Sequence, residues 1–200
     1  LRTHLPKEFD MAATTEVTTQ TPVHAGRWAA DPAHSSVSFR VRNMGIVTVT
    51  GYFADFEGSL VSDGTLAGTH AEGTIQVPSV DTRSEKRDQH LLADDFFAAE
   101  QHPQIRFAST SIEPDGDGLK VVGDLTIKGI TRSVELHAVP QAPEPIEDPW
   151  GGTRIGLEVS GEVDRRDFDL NWDVLTPAGV PLASYKVKLD LLLGFARSDG

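Results

Sequence analysis

The sequence predicts an all-β domain built on one antiparallel sheet, interrupted once by a short helical segment. Three observations carry this. From Trp28 onward apolar residues recur with a period of two, the spacing of a strand with one buried face. Turn residues separate the alternating runs: Asp63-Gly64, Pro114-Asp115-Gly116-Asp117-Gly118 and Lys128-Gly129 each supply residues that tolerate positive φ. Residues 83–100 abandon the alternation and contain neither glycine nor proline. Roughly eight strands in one domain close into a barrel or pack as a sandwich. Gly51, Gly123 and Gly161, inside strands, suit the bends and bulges that curl a sheet.

Residues 1–10 (LRTHLPKEFD) precede Met11 and read as a remnant of expression cloning. The Thr-rich residues 11–26 are expected to form a mobile arm, and residues 27–196 a single domain. The first clear strand is Ser36-Val37-Ser38-Phe39-Arg40-Val41-Arg42. Val47, Val49, Gly51 and Phe53 share one face of the next, with Thr48, Thr50 and Tyr52 opposite. Ile75 and Val77 repeat the pattern until Pro78 stops it. Thr82-Arg83-Ser84-Glu85 then has the form of a helix capping box. Leu91, Leu92, Phe96 and Phe97 follow, predicting one helix, or two restarted at Asp94 or Asp95, that ends before His102-Pro103.

Gln104-Ile105-Arg106-Phe107 resumes the strand alternation. Leu119, Val121, Gly123, Leu125 and Ile127 share a face, as do Val134, Leu136 and Ala138. Residues 140–152 hold four prolines and paired glycines, a long loop whose Trp150 is expected to act in a lid or plug. Ile155, Leu157, Val159, Gly161 and Val163 form another apolar face. Val187, Leu189, Leu191 and Leu193 close the chain, opposite Lys186, Lys188 and Asp190.

Thirty acidic residues against 18 basic give a net charge of −12. That argues against a nucleic-acid partner, which needs clustered Lys and Arg, and against docking on an anionic membrane. The absence of cysteine excludes disulfides, thiolate metal sites and a Cys nucleophile. No apolar run reaches the ~18 residues of a transmembrane helix. No apolar signal core follows Met11, so a cytoplasmic location is expected if Met11 is the native start. A periplasmic or secreted location is expected if an export signal was removed.

No catalytic or metal site is expected. His34, His70, His90, His102 and His137 show no H-x-H or H-E-x-x-H spacing. Asp115-x-Asp117-Gly118 lacks the remaining positions of a calcium loop and reads as a hairpin turn. No Gly-x-Ser-x-Gly elbow, dinucleotide fingerprint or P-loop is present. Arg87-Asp88-Gln89-His90-Leu91 sets three ionisable residues beside large apolar ones, the composition of a polar cluster at a cavity mouth. A closed eight-stranded barrel can fill with side chains or hold one small ligand. The strand pattern leaves both open.

Longer stretches carry a resemblance. They are WAADPAHSSVSFRVRNMG from Trp28, VTGYFADFEGSL, SVDTRSEKRDQHLLADDFF, HPQIRFAST, VVGDLTIKGITRSVEL and DPWGGTRIGLEVSGEVDRRDFDLNW. Together they resemble the YceI-like family of lipocalin-like polyisoprenoid-binding proteins over about residues 28–194. The resemblance implies a lipocalin-like eight-stranded antiparallel β-barrel with a helical insertion around residues 83–100. It implies a non-enzymatic carrier or store of a long-chain isoprenoid, such as a polyprenyl phosphate or an isoprenoid quinone, held in an apolar tunnel. No cofactor beyond that lipid is implied, and dimers are common in the family. Asn43 stands where members usually carry His, and Asp169 where they usually carry Gly. Asn43 can hydrogen-bond a head group but cannot carry charge.

Phe39, Met44, Phe53, Phe56, Leu91, Phe96, Phe97, Phe107, Phe168 and Trp172 are the expected tunnel-lining residues. His34, Asn43, Arg87 and His90 are the expected head-group residues. Each buried methylene of a lipid chain contributes about 0.8 kcal/mol, so a long chain reaches useful affinity with little polar chemistry. Two rivals stand beside the carrier: an enzyme acting on an isoprenoid or quinone lipid through a pair such as His90 with Asp88, and a ligand-free stress-response module with a filled core.

Overall fold

The structure, a computed structural model, describes residues 23–198. The expected cloning remnant and residues 11–22 of the expected arm lie outside the described residues. Within residues 23–26, His24 Nε2 lies 3.2 Å from the carbonyl of Pro143, and Gly26 opens a strand.

Among the described residues, twelve strand segments form one sheet. They are β1 (Gly26–Ala30), β2 (Ser36–Asn43), β3 (Val47–Phe53), β4 (Phe56–Ser62), β5 (His70–Gln76), β6 (Val80–Asp81), β7 (Gln104–Asp115), β8 (Gly118–Ile127), β9 (Ile130–Pro140), β10 (Ile146–Glu147), β11 (Thr153–Asp164) and β12 (Ala183–Arg197). All pairings are antiparallel. The segments resolve into eight barrel strands. β1 and β2 both lie along one edge of β12 and are one strand bent at residues 31–35. β3 and β4 pair with β2 and β1 and are one strand bent at 54–55. β5 and β6 follow β4 and β3 in the same way. The two-residue β10 only edges a hairpin turn. The ladder from Arg154↔Ala196 to Asp164↔Lys186 joins β11 to β12 and closes the ring, so the barrel has no open edge along this seam.

The bends have local causes. Asp31 caps the short turn Pro32–His34, accepting from the Ala33 amide at 3.1 Å. Gly194 lets that turn approach β12: Asp31 N donates to its carbonyl at 2.8 Å. Pro78, without an amide proton, sits in the turn between β5 and β6. Lys128 and Gly129 both adopt positive φ, the geometry of a two-residue hairpin that follows strand twist.

The helix α1 (Glu85–Leu92) is shorter than the sequence predicts. Thr82 does not cap it; Ser84 occupies the N-cap without a side-chain bond, because Thr82 is engaged by Asp88 and Arg87 instead. After Leu92 the chain forms successive turns, with Ala98 at φ 49°, rather than a second helix. Leu91, Phe97, Ala98 and Ala99 are thereby buried.

Candidate functional site

The barrel interior contains two cavities, each of about 250 Å³. The first is walled by β4, β5, β7–β9, β11 and β12, with Leu119, Val121, Leu136, Val159, Leu191 and Leu193 among its lining residues. The second lies beneath α1 and the turn at 165–172, against Phe39, Leu91, Phe96, Phe97, Phe168 and Trp172. Phe53, Ile105, Ile127 and Leu189 line both. These four side chains form a waist between two chambers of one apolar interior.

Strand parity produces this wall. In β8 Leu119, Val121, Leu125 and Ile127 are buried while Asp124 faces outward. In β12 Val187, Leu189, Leu191 and Leu193 point inward, and Lys186 and Lys188 point to solvent. Three wall glycines leave room for larger neighbours: Phe39 lies over Gly51, Phe107 over Gly123 and Leu136 beside Gly161. Gly123 also faces the bulge between Ser109 and Ser111 of β7.

Polar groups gather at the helical end of the second chamber. Thr82 is buried and central. Its amide and hydroxyl donate to Asp88 Oδ1 at 2.9 and 2.6 Å, and Arg87 donates to its hydroxyl and carbonyl at 2.6 and 2.7 Å. Arg87 stands exposed at the mouth, and Asn43 borders the same chamber. His90 lies 3.1 Å from Asp95, and its ring meets Trp172 edge-on with centroids 5.2 Å apart. Arg165 is 3% exposed and donates to the carbonyls of Leu170, Ala183 and Ser184. Burial lowers its affinity for its proton.

Phe39, Phe53, Leu91, Phe96, Phe97, Phe168 and Trp172 come together at the second chamber, with Asn43, Arg87 and His90. Phe56 and Phe107 line the first. Met44 and His34 stand apart from both. Met44 has φ 50° at the tip of the β2–β3 hairpin, beyond the barrel rim, and is exposed. His34 ends the Pro32–His34 turn, and its Nδ1 pairs with Asp31 at 2.8 Å on the outside. Trp150 is 88% exposed and covers neither chamber. Its turn is set by Asp148, which accepts from the amides of Trp150 and Gly152 and directs the indole to solvent. The His90–Asp88 pairing does not form, since Asp88 is turned to Thr82.

Sequence reasoning did not single out Thr82, Arg165 or the leucines of β12 as site residues. The leucines carried their signal in the alternation, and Arg165 in the charged run Asp164-Arg165-Arg166-Asp167. Among the described residues no group of three His, Asp or Glu is placed to hold a metal, and no helix is long and apolar enough to cross a membrane.

A sequence model of the YceI-like domain matches residues 28–195. The chain is 39% identical to Protein YceI of Escherichia coli O157:H7 over 144 residues, covering 70% of this chain and 73% of that protein. It is similar to the crystal structure of the Campylobacter jejuni YCEI protein, with TM-score 0.66 and 27% identity over 77% of this chain and 88% of the other. A polyisoprenoid binding domain from Saccharophagus degradans shares the fold, with TM-score 0.61 and 16% identity over 88% of this chain and 100% of the domain.

Proposed function

The chain belongs to the YceI-like family, and from that premise we propose that it binds a long-chain isoprenoid lipid non-enzymatically, for transport or storage, inside the barrel. The observation that carries this is the waist: two apolar chambers meet at the shared side chains Phe53, Ile105, Ile127 and Leu189, an arrangement that suits one flexible chain threading both. A compact ligand needs one pocket; an extended chain needs a succession of them. The lining offers little for polar recognition along that path, and affinity then grows with each methylene buried, less the cost of ordering the chain. The Saccharophagus domain, described as polyisoprenoid binding, has the same fold. Asn43, Arg87 and His90 suit a head group at the helical end.

Mass spectrometry of the purified protein, under native conditions and after organic extraction, tests the reading. A stoichiometric adduct of isoprenoid mass, or uptake of added long-chain prenols, is the expected result. A protein that takes up no lipid of any class would return the reading to a ligand-free barrel.

A further inference from the structure

We propose that the rim of the second chamber docks on the surface of a zwitterionic lipid bilayer, with two apolar hairpin tips entering the interface beside the chamber mouth. The choice of a membrane as partner rests on the lipid-binding reading; the surface itself rests on what the two hairpins expose. Ten large apolar side chains are exposed among the described residues, and six of them stand here: Met44, Ile46, Val47, Val174, Leu175 and Val180. Single exposed apolar residues are ordinary, whereas a cluster of them marks an interaction surface.

Backbone pairing builds the cluster. Residues 174–182 fold back on themselves: Leu182 N donates to the Val174 carbonyl at 2.8 Å, Leu175 bridges Pro181, and Thr176 N donates to the Val180 carbonyl at 2.8 Å. This loop is fastened to the β2–β3 hairpin, where Met44 N donates to the Leu182 carbonyl at 3.0 Å and Asn43 pairs with Ala183. Asn43, Leu182 and Ala183 also line the second chamber. The two apolar tips therefore rise together from its rim.

Charge points to the partner. Residues 43–54 and 174–185 are the two longest stretches of the sequence without Asp, Glu, Lys or Arg. A chain of net charge −12 thus sets its two charge-free segments side by side. The first charged residues reached from the tips along β2 and β12 are Arg42 and Lys186, both exposed. Arg42 donates to the Gly45 carbonyl and forms no ion pair with a carboxylate among the described residues. Lys186 lies 3.9 Å from Glu162. Asp173, which precedes the loop, accepts from the Tyr185 hydroxyl at 2.7 Å. An uncharged apolar tip backed by cations matches the layering of a bilayer, hydrocarbon inside and phosphates at its boundary. The acid excess of the rest of the chain opposes an anionic surface, which is why the partner is zwitterionic.

The test is flotation of the full chain with phosphatidylcholine vesicles. Wild type should float with them, at high salt as well as low, because salt screens charge and not apolar insertion. Ile46→Asp and Leu175→Asp should each weaken partitioning about tenfold or more. Leu192→Asp is the control: Leu192 is 55% exposed against 52% for Leu175, but lies far along β12 from the rim, opposite Ser36. It should float as wild type does. Uptake of a prenol added from ethanol, with no vesicles present, should be alike in all four proteins and shows that they fold. A wild type that takes up prenol but does not float overturns the proposal and leaves the lipid-binding reading standing. Tip variants that float like wild type, equal weakening in Leu192→Asp, or loss of prenol uptake in the tip variants alone would do the same. Flotation through the tips without prenol uptake by any of the proteins would remove the lipid-binding reading and keep the docking surface; failure of both removes both. A vesicle-free dimer that Ile46→Asp dissociates, with no flotation of wild type, would assign the patch to a second copy of the chain and overturn the proposal.

Discussion

The ring of Phe39 lies directly over Gly51, its cross-strand partner between β2 and β3, and fills the space that a Cβ at position 51 would need. Phe39 also packs against Phe53, with ring centroids 5.5 Å apart, and lines the second chamber. The glycine thus lets an aromatic ring lie flat against the wall instead of standing across the chamber. Gly51→Ala should destabilise the fold by about 1–3 kcal/mol through overpacking. Phe39→Ala in the same chain should recover part of the loss, because it removes the clashing partner. Urea unfolding of the two single variants and the double variant measures the coupling. Strictly additive losses would show that the ring and the glycine do not interact.

Ile105 lies at the waist, buried in β7 and facing both chambers. Enlarging it should narrow the passage without altering the mouth. In a prenol series of increasing length, wild-type affinity should keep rising as the chain enters the first chamber. In Ile105→Phe the rise should stop at the length that fills the second. Excluding even two methylenes costs about 1.6 kcal/mol, or about tenfold in affinity. The slope of affinity against chain length, read by native mass spectrometry, is the measurement. Short prenols binding as in wild type would show that the variant still folds. An unchanged slope would mean that the chambers are not used in series.

The wall was legible in the sequence because its side chains obey one local rule. Leu119, Val121, Leu125 and Ile127 alternate with outward residues, and all four are buried in the barrel. Val47 follows the same alternation yet is exposed, because it lies where β3 runs past the rim. The polar end was only partly legible. Arg87 and His90 could be named from their neighbours, but their partners depend on local geometry: the turn that enters α1 sets Asp88 and Arg87 against Thr82, and the fold-back after Leu92 brings Asp95 to His90. Trp150 was misleading for a related reason: its direction is set by two amide bonds to Asp148, which composition cannot reveal. The bends that fold β1 into β2 and β3 into β4 likewise interrupt strands at places where the sequence reads as turns between separate elements.

Asp31 fastens the β1–β2 bend to β11. It accepts from His34 at 2.8 Å and from Arg154 Nη1 at 2.7 Å, while Arg154 Nε donates to Asp148 at 2.8 Å. The bond from His34, then that from Arg154, lowers the Asp31 pKa from its ordinary 3.8 to about 2. The folded-state value is the depressed one, so the stabilisation is fully present above the ordinary pKa and is lost as pH falls through the folded value. Asp164, beside Arg166, is also lowered to about 2 and adds to the same window. Melting temperature should therefore drop between about pH 4 and pH 2. Asp31→Asn should make the drop shallower while leaving the Asp164 contribution. Parallel curves for the two proteins across that window would contradict the assignment.

Asp169 has φ 56° and ψ 29°, the left-handed conformation, at the end of the turn that carries Phe168 into the core. Its amide bonds back to the carbonyls of Arg165 and Arg166, so the turn cannot relax without loosening Arg165. This is the position where resemblance to the YceI-like family anticipates glycine. A residue with a Cβ here is strained by roughly 1–2 kcal/mol, less for Asp and Asn, whose short polar side chains tolerate the region. Asp169 gains some of this back through Asn171, whose amide donates to Oδ1 at 2.6 Å, and through Lys128, whose Nζ lies 3.6 Å from Oδ2. Both contacts are on the exposed face of Asp169, where such interactions contribute little. Asp169→Gly should therefore match or exceed the wild type in stability, and Asp169→Ala should lose about 1 kcal/mol or more. The ordering Gly ≥ Asp > Ala in urea midpoints is the expected outcome. If Ala equalled Asp, backbone strain would not govern this position, and the polar contacts of Asp169 could not be its reason either.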